Sequence, residues 1–253
     1  MASEAVRRQF DRAAAAYGSS PVFAAGRDLA LMVEAAAPSA NMTVLDLGTA
    51  AGHTAFAFAP LVREAVGIDV STEMLAEATR QAAARGLTNV RFEEADLTAL
   101  PFADAAFDLV TCRQVAHHLP TLALLRDVAR VLKPEGQFVV VDPISPEDAA
   151  LADWLNTVER LRDPSHGRDW SLSEWAAAGE AIGVPFAVIE EWALPLDFAD
   201  WTARQQTPPD AVAELERLFD TATPEVRAAF ALVEPPERGF RLPCVVLRGE
   251  KRG

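Results

Sequence analysis

Between residues 43 and 143, short apolar runs alternate with stretches whose apolar residues recur at helical spacing, and this pattern restricts the fold more than any other. "TVLDL", "AVGIDV", "NVRFEEADL", "FDLVTCRQV" and "QFVVVDP" read as strands. "GHTAFAFAPLV", "STEMLAEATRQAAARG" and "TLALLRDVARVLKPEG" read as the helices between them, the second capped by Ser71 and closed by Gly86, the third ended by its Lys-Pro-Glu-Gly turn. Strands alternating with helices at this spacing give a parallel sheet covered on both faces.

The flanks differ. Residues 2–16 and 26–37 predict two helices ahead of the alternation, the second stopped by Pro38. After Pro143, "SPEDAALADWLNTVERL" predicts a helix with Ser145 as cap and Pro146 at its first position, and Leu151, Trp154, Leu155, Val158 and Leu161 form an apolar stripe along it. "SLSEWAAAGEAIG" opens with a capping box, Ser171 and Glu174. "VPFAVIEEW" and "FRLPCVVLRGEKR" predict two more strands, separated by about 45 residues with helices at "DFADWTARQQ", "DAVAELERLFD" and "TPEVRAAFAL". At 253 residues the chain can bury one large core with appendages.

Charge and composition exclude several roles. The net charge is −14, acids are spread along the chain and there is no basic run, so a polyphosphate backbone would be repelled and nucleic acid is not the expected partner. The longest apolar stretches are strand-sized, well short of a membrane span. The N-terminus lacks the apolar block of a secretory signal, and Cys112 and Cys244 each sit in an apolar run, read as buried thiols rather than as chemistry. A cytoplasmic protein is expected.

The stretch "VLDLGTAAGHTA", residues 44–55, is a strand, a tight turn and a helix start, the arrangement in which backbone N–H groups cradle a nucleotide-like ligand. A dinucleotide fingerprint needs glycine at 48, 50 and 53, and Ala50 and His53 fail it. The pattern acid-x-G-x-G-x-G, used for S-adenosylmethionine, is met by Asp46, Gly48 and Gly52, with Ala50 in place of the middle glycine. Asp69 ends the second strand, 21 residues after Gly48, where a carboxylate can take both ribose hydroxyls. Asp96 ends the third strand, suited to the adenine amine, with Leu97 along the ring. A single acid at a strand end is commonly a cap; three in succession after a glycine loop are harder to assign to capping.

These stretches, with "GIDVSTEML", "VRFEEADLTALPFADAAFDLV", "HHLP" and "RVLKPEGQFVVVD", resemble the class I S-adenosylmethionine-dependent methyltransferases, in the group that includes the ubiquinone/menaquinone-biosynthesis enzymes. The resemblance covers residues 40–145, roughly 40% of the chain. It implies an α/β fold: a Rossmann-like, seven-stranded mixed sheet whose last strand is antiparallel, helices on both faces, and bound S-adenosylmethionine. The expected domain is single, over 1–253, with a core near 38–145, 171–192 and 240–250, and lid insertions near 1–20, 145–170 and 193–239. The long insertion before the last strand departs from the family, where a tight hairpin is usual. Besides Asp46, Gly48, Ala50, Gly52, Asp69, Asp96 and Leu97, the cofactor-contacting residues implied are Thr49, Val70, Met74, Arg113 and Tyr17, the last on an N-terminal helix that folds over the cofactor in relatives.

"RQVAHHLP" follows the fourth strand and places Arg113, His117 and His118 on the rim of the cofactor site. A histidine pair before a helix can equally be a matter of capping and packing. In relatives that methylate hydroxyls, the first histidine of this pair acts as a base, which the resemblance carries to His117, with Asp142 at the end of the fifth strand orienting it. "RLRDPSHGRDW" gathers Arg162, His166 and Arg168 in one loop, read either as a solvated turn or, with His118, as substrate-facing. The expected reaction is methyl transfer to a small-molecule acceptor, on oxygen or carbon, with no metal; a homodimer is left open. The alternatives are a cyclase or rearrangement enzyme using the same cofactor, and a non-catalytic cofactor-binding subunit. A nicotinamide oxidoreductase is disfavoured by Ala50 and His53.

Overall fold

The computed structural model describes residues 26–119 and 121–253. The proposed helix at 2–16 and Tyr17 lie outside them. Seven strands form one sheet in the order β3-β2-β1-β4-β5-β7-β6. The strands are β1 (Thr43–Leu47), β2 (Glu64–Asp69), β3 (Val90–Glu94), β4 (Phe107–Arg113), β5 (Leu132–Pro143), β6 (Phe186–Asp197) and β7 (Gly239–Glu250). All neighbours pair in parallel except at β7, which runs antiparallel to both β5 and β6.

The helices α1 (Arg27–Ala36), α2 (His53–Phe58), α3 (Thr72–Ala84), α4 (Thr121–Val131), α5 (Ala149–Arg162) and α6 (Leu172–Ile182) follow in chain order. Because strand side chains alternate, each strand feeds two cores. Leu45, Leu47, Val66, Ile68, Val110 and Val140 pack with α4 and α6 on one face. Val44, Ala65, Leu109, Val139 and Val141 pack with α1 and α2 on the other. Cys112 and Cys244 are buried free thiols.

Chain order reverses between β1 and β4, where neighbouring strands send their chains to opposite sides. In an open α/β sheet the crevice at such a point, beyond the carboxyl ends of the strands, is the ligand site. Asp46 lies near the end of β1 and Arg113 ends β4, so the candidate residues flank this crevice.

Three elements differ from expectation. β6 continues to Asp197 and stays paired with β7 as far as Asp197↔Gly239. The usual hairpin is therefore retained, and its loop is opened to hold α7 (Phe198–Arg204), α8 (Pro209–Asp220) and α9 (Pro224–Ala229). Pro195 is tolerated inside β6 because that strand is at the sheet edge, where a missing N–H goes unused. The helix after β5 starts at Ala149, not at Pro146: its cap is Asp148, whose carboxylate accepts from Ala150 and Leu151 N–H, while Ser145 is drawn away by a bond from its N–H to the Trp170 carbonyl. The helix before β5 ends at Val131, ahead of the Lys-Pro-Glu-Gly turn.

The predicted stripe on α5 is observed. Leu155 and Val158, flanked by Leu151, Trp154 and Leu161, join Phe198, Trp201, Leu215, Phe219, Phe230 and Phe240 in a separate apolar core. Trp154 stacks on Phe230 with ring centroids 5.1 Å apart. The inserted helices thus fill their own interior and cap the strand ends of β6 and β7.

Candidate active site

The glycine loop is built on left-handed backbone. Gly48 has φ +63°, Ala50 φ 44° and Gly52 φ 89°. A Cβ at Gly48 would lie 2.5 Å from a Val115 methyl, so the loop packs directly on the segment that carries the histidine pair. Ala50 takes the strained conformation its family counterpart glycine would take freely. Thr49 N–H donates to the Ile68 carbonyl at 2.9 Å, which locks the loop to β2.

Asp69 accepts from Ala50 N–H on one oxygen and from Ser71 N–H on the other, both at 2.9 Å. It therefore clips the glycine loop to the start of α3, a role its strand-end position did not reveal. Half-buried Val70 and buried Met74 follow it, Met74 N–H donating to the Ser71 cap at 3.2 Å. Asp96 is exposed and accepts from Thr98 N–H and Oγ1 at 2.8 and 2.7 Å, an Asx turn, while Leu97 is buried in the sheet core.

Asp46 is 1% exposed. Its Oδ1 accepts from the Thr111 hydroxyl at 2.8 Å, but its Oδ2 has no hydrogen-bond partner among the described residues. Burial lifts its pKa from 3.8 to about 6, against the pull of the Thr111 hydroxyl and of Arg113. Arg113, at the end of β4, makes a two-point ion pair with Asp28 on α1, at 2.7 and 3.0 Å.

His117 lies on the short turn Ala116–His118 after β4. Asp142 grips it twice, Oδ2 accepting from its backbone N–H and Oδ1 lying 2.9 Å from ring Nδ1. The other ring nitrogen, Nε2, makes no hydrogen bond with the described residues, and the side chain keeps 13% exposure. Burial alone would lower the His117 pKa; the Asp142 carboxylate, 2.9 Å from its ring, outweighs that and raises it from 6.5 to about 9.

The loop after α5 folds onto this pair. Gly167 and Arg168 N–H both donate to the His117 carbonyl at 2.9 Å, and a Cβ at Gly167 would meet that oxygen at 2.8 Å. His118 and His166 rings lie 4.1 and 5.4 Å from the His117 ring. His118 Nδ1 contacts the Ser165 carbonyl at 3.1 Å, and His166 Nε2 contacts Asn156 Oδ1 at 3.2 Å. Both imidazoles are held neutral, first by burial and then by the charge on His117.

Arg162 and Arg168 do not join the histidines. Arg162 Nε donates to the Trp201 carbonyl, its Nη1 lies 3.5 Å from Glu159, and the guanidinium stacks over the Trp201 ring. Arg168 forms an exposed ion pair with Glu174 of the capping box. What sequence reasoning missed is the acid pair beneath the histidines. Among the described residues, nothing hydrogen-bonds either oxygen of Asp169, which is 1% exposed, or Oε1 of buried Glu159. Glu159 lies four residues after Leu155, on the apolar side of α5, and that position was the available signal.

A methyltransferase-domain family model matches residues 38–182. The chain is 40% identical over 247 residues to the uncharacterized methyltransferase YcgJ of Bacillus subtilis, covering 96% of this chain and 98% of that protein. The crystal structure of YcgJ superposes with a TM-score of 0.87 over 89% of this chain and 98% of that one. A putative methyltransferase from Bacillus halodurans gives the same TM-score at 32% identity, over 90% of this chain and all of the other. Demethylmenaquinone methyltransferase of Thermus thermophilus is 42% identical over 124 residues, 46% of this chain and 54% of that enzyme. On its sheet order and on these matches, the chain belongs to the class I S-adenosylmethionine-dependent methyltransferases.

Proposed function

We propose that this enzyme methylates a small-molecule acceptor on oxygen or carbon, releasing S-adenosylhomocysteine, with His117 and Asp142 managing the acceptor's proton. The observation that carries the reading is the orientation of His117: Nδ1 is fixed by a buried carboxylate, and Nε2 is left for a ligand beside the topological switch point. Nitrogen acceptors have less need of such a dyad, because an amine already presents a lone pair.

The chain's residues fit the cofactor. Asp46 Oδ2 and Thr49 Oγ1 are buried and have no hydrogen-bond partner among the described residues, which suits a polar headgroup at the glycine loop. Asp69 can accept further hydrogen bonds, since each carboxylate oxygen has two lone pairs, and it would hold the ribose. Asp96 would take the adenine amine, with Leu97 beneath the ring. When bound, the cofactor supplies a methyl group activated by its sulfonium. The protein would orient the acceptor in line and exclude water, the excluding falling to the cap of α5 and α7–α9 with its 163–170 loop, which packs on His117.

The test is incubation of the purified enzyme with methyl-labelled cofactor and a panel of phenols, enols, aliphatic alcohols and amines. Label in an oxygen- or carbon-methylated product supports the reading. Transfer to amines alone would overturn the assignment of acceptor atom.

A further inference from the structure

The three-histidine stack is surrounded by charge from every element packed on it: Asp142 from β5, Glu159, Arg160 and Arg162 from α5, and Asp163 and Asp169 from the loop. Their states divide sharply. Asp163 is buried in hydrogen bonds from the Ser165 hydroxyl, the Ser165 N–H and the Gln205 amide, so its charge is used locally. Glu159 has Arg162 at 3.5 Å on one oxygen, and burial raises its pKa. Asp169, with no hydrogen bond from the described residues to stabilise a charge, is pushed by burial from 3.8 up to about 8, so it rests as the neutral acid. Among the described acids, Asp142 is the one that contacts the His117 ring. The acids that would repel an anion are neutralised or already engaged, while His117, held by Asp142, carries its proton.

Building on the methyl-transfer reading above, we infer that the acceptor is bound as an oxyanion: a weakly acidic phenolic or enolic hydroxyl whose ionised oxygen accepts a hydrogen bond from Nε2–H of a His117 imidazolium. His117 is then a proton-holding partner in the resting site and does not wait as a free base. An oxyanion has lone pairs to spare, so one can accept from Nε2 while another attacks; in an enolate the attack comes from carbon. The attacking pair forms the bond to the methyl carbon, the electrons of the carbon–sulfur bond stay on sulfur, and the imidazolium keeps its proton. Anion and sulfonium become two neutral products. An amine is excluded on the same grounds, because its single lone pair would be tied up by Nε2–H and its protonated form would be repelled.

The experiment uses the full chain loaded with S-adenosylhomocysteine, and calorimetry of that loading comes first. Failure to bind S-adenosylhomocysteine would overturn the methyltransferase reading itself. With the loaded enzyme, 4-nitrophenol, whose anion is yellow, is compared with 4-nitrobenzyl alcohol and 4-nitrobenzylamine. The expected result is binding of the yellow anion, preferred over the alcohol by roughly tenfold to a hundredfold, as befits one charge-assisted hydrogen bond. His117→Gln should remove that preference. In parallel, NMR titration of the four histidines should show His117 still charged at pH 8, with its midpoint falling by about one pH unit or more in Asp142→Asn. Equal affinity for phenol and alcohol, including no binding of either, overturns the inference while leaving the methyltransferase reading intact. So does a His117 in the wild-type enzyme that is neutral at pH 7.5.

Discussion

Replacing Asp142 by asparagine should flatten the dependence of stability on pH above neutrality. Asp142 is 2% exposed and spends both oxygens on His117, one on the backbone N–H and one on the ring. His117 titrates at about 9 in the folded chain against 6.5 when unfolded, so the folded state holds its proton more tightly. A raised pKa contributes stability that is fully present below pH 6.5 and is lost as pH climbs through 9. At 1.36 kcal/mol per unit the difference is about 3 kcal/mol. In Asp142→Asn, burial acts on His117 without its main opposing charge, the folded pKa falls to or below 6.5, and this loss between pH 6.5 and 9 disappears. The variant is also weaker at pH 6.5, by about 2–4 kcal/mol, because the charge-assisted pair between His117 and the buried carboxylate is lost. Urea denaturation of both proteins from pH 6 to 9.5 measures it. Parallel curves, with the variant displaced but equally steep, would show that Asp142 does not hold the His117 proton and would refute the electrostatic account.

Four further outcomes follow from the same structure. Ala50→Gly should raise the melting temperature, since relief of a left-handed alanine, about 1–2 kcal/mol, outweighs the chain entropy that glycine adds, about 0.4–1 kcal/mol; a lower melting temperature would mean that the Ala50 methyl makes a contact worth more than the strain. Asp69→Ala should leave a folded protein by circular dichroism yet weaken S-adenosylhomocysteine binding by about a hundredfold or more, because it removes the clip between Ala50 and Ser71 together with the ribose acceptor. Gly167→Ala should cost about 1–3 kcal/mol in denaturant titrations, since its Cβ meets the His117 carbonyl and parts the loop from the histidines. Arg168→Ala should change stability by less than about 1 kcal/mol and leave binding of S-adenosylhomocysteine unaltered, as expected for an exposed ion pair.

The sheet and the glycine loop were legible because their signals are local. Short apolar runs between stretches of helical period marked the strands, and an acid and small residues at fixed offsets marked the turn. Ser71, Ser171 and Glu174 cap where the sequence places them. Less local features were misread. Ser145 and Pro146 carry a helix-start signature, but a distant carbonyl at Trp170 takes the Ser145 N–H and moves the start to Asp148. "WALPLD" alternates as a strand should, yet Pro195 hid that, since edge position depends on tertiary context. Arg113 stands at the site rim in sequence and is claimed by Asp28, 85 residues away. The loop at 160–170 read equally as a solvated turn or as a substrate-facing segment. Only the fold brings Asp169 and His166 to His117, where burial converts ordinary acids and imidazoles into groups with displaced pKa values.

The most direct measurement of the central claim is a crystal structure of the chain with S-adenosylhomocysteine. The account predicts ribose hydroxyls on Asp69, adenine beside Asp96 and Leu97, and the amino-acid end against the glycine loop near Asp46. It further predicts the sulfur facing an acceptor-sized space whose far wall is His117 Nε2. A sulfur directed away from His117, or a ligand seated anywhere but the carboxyl ends of β1 and β4, would contradict it.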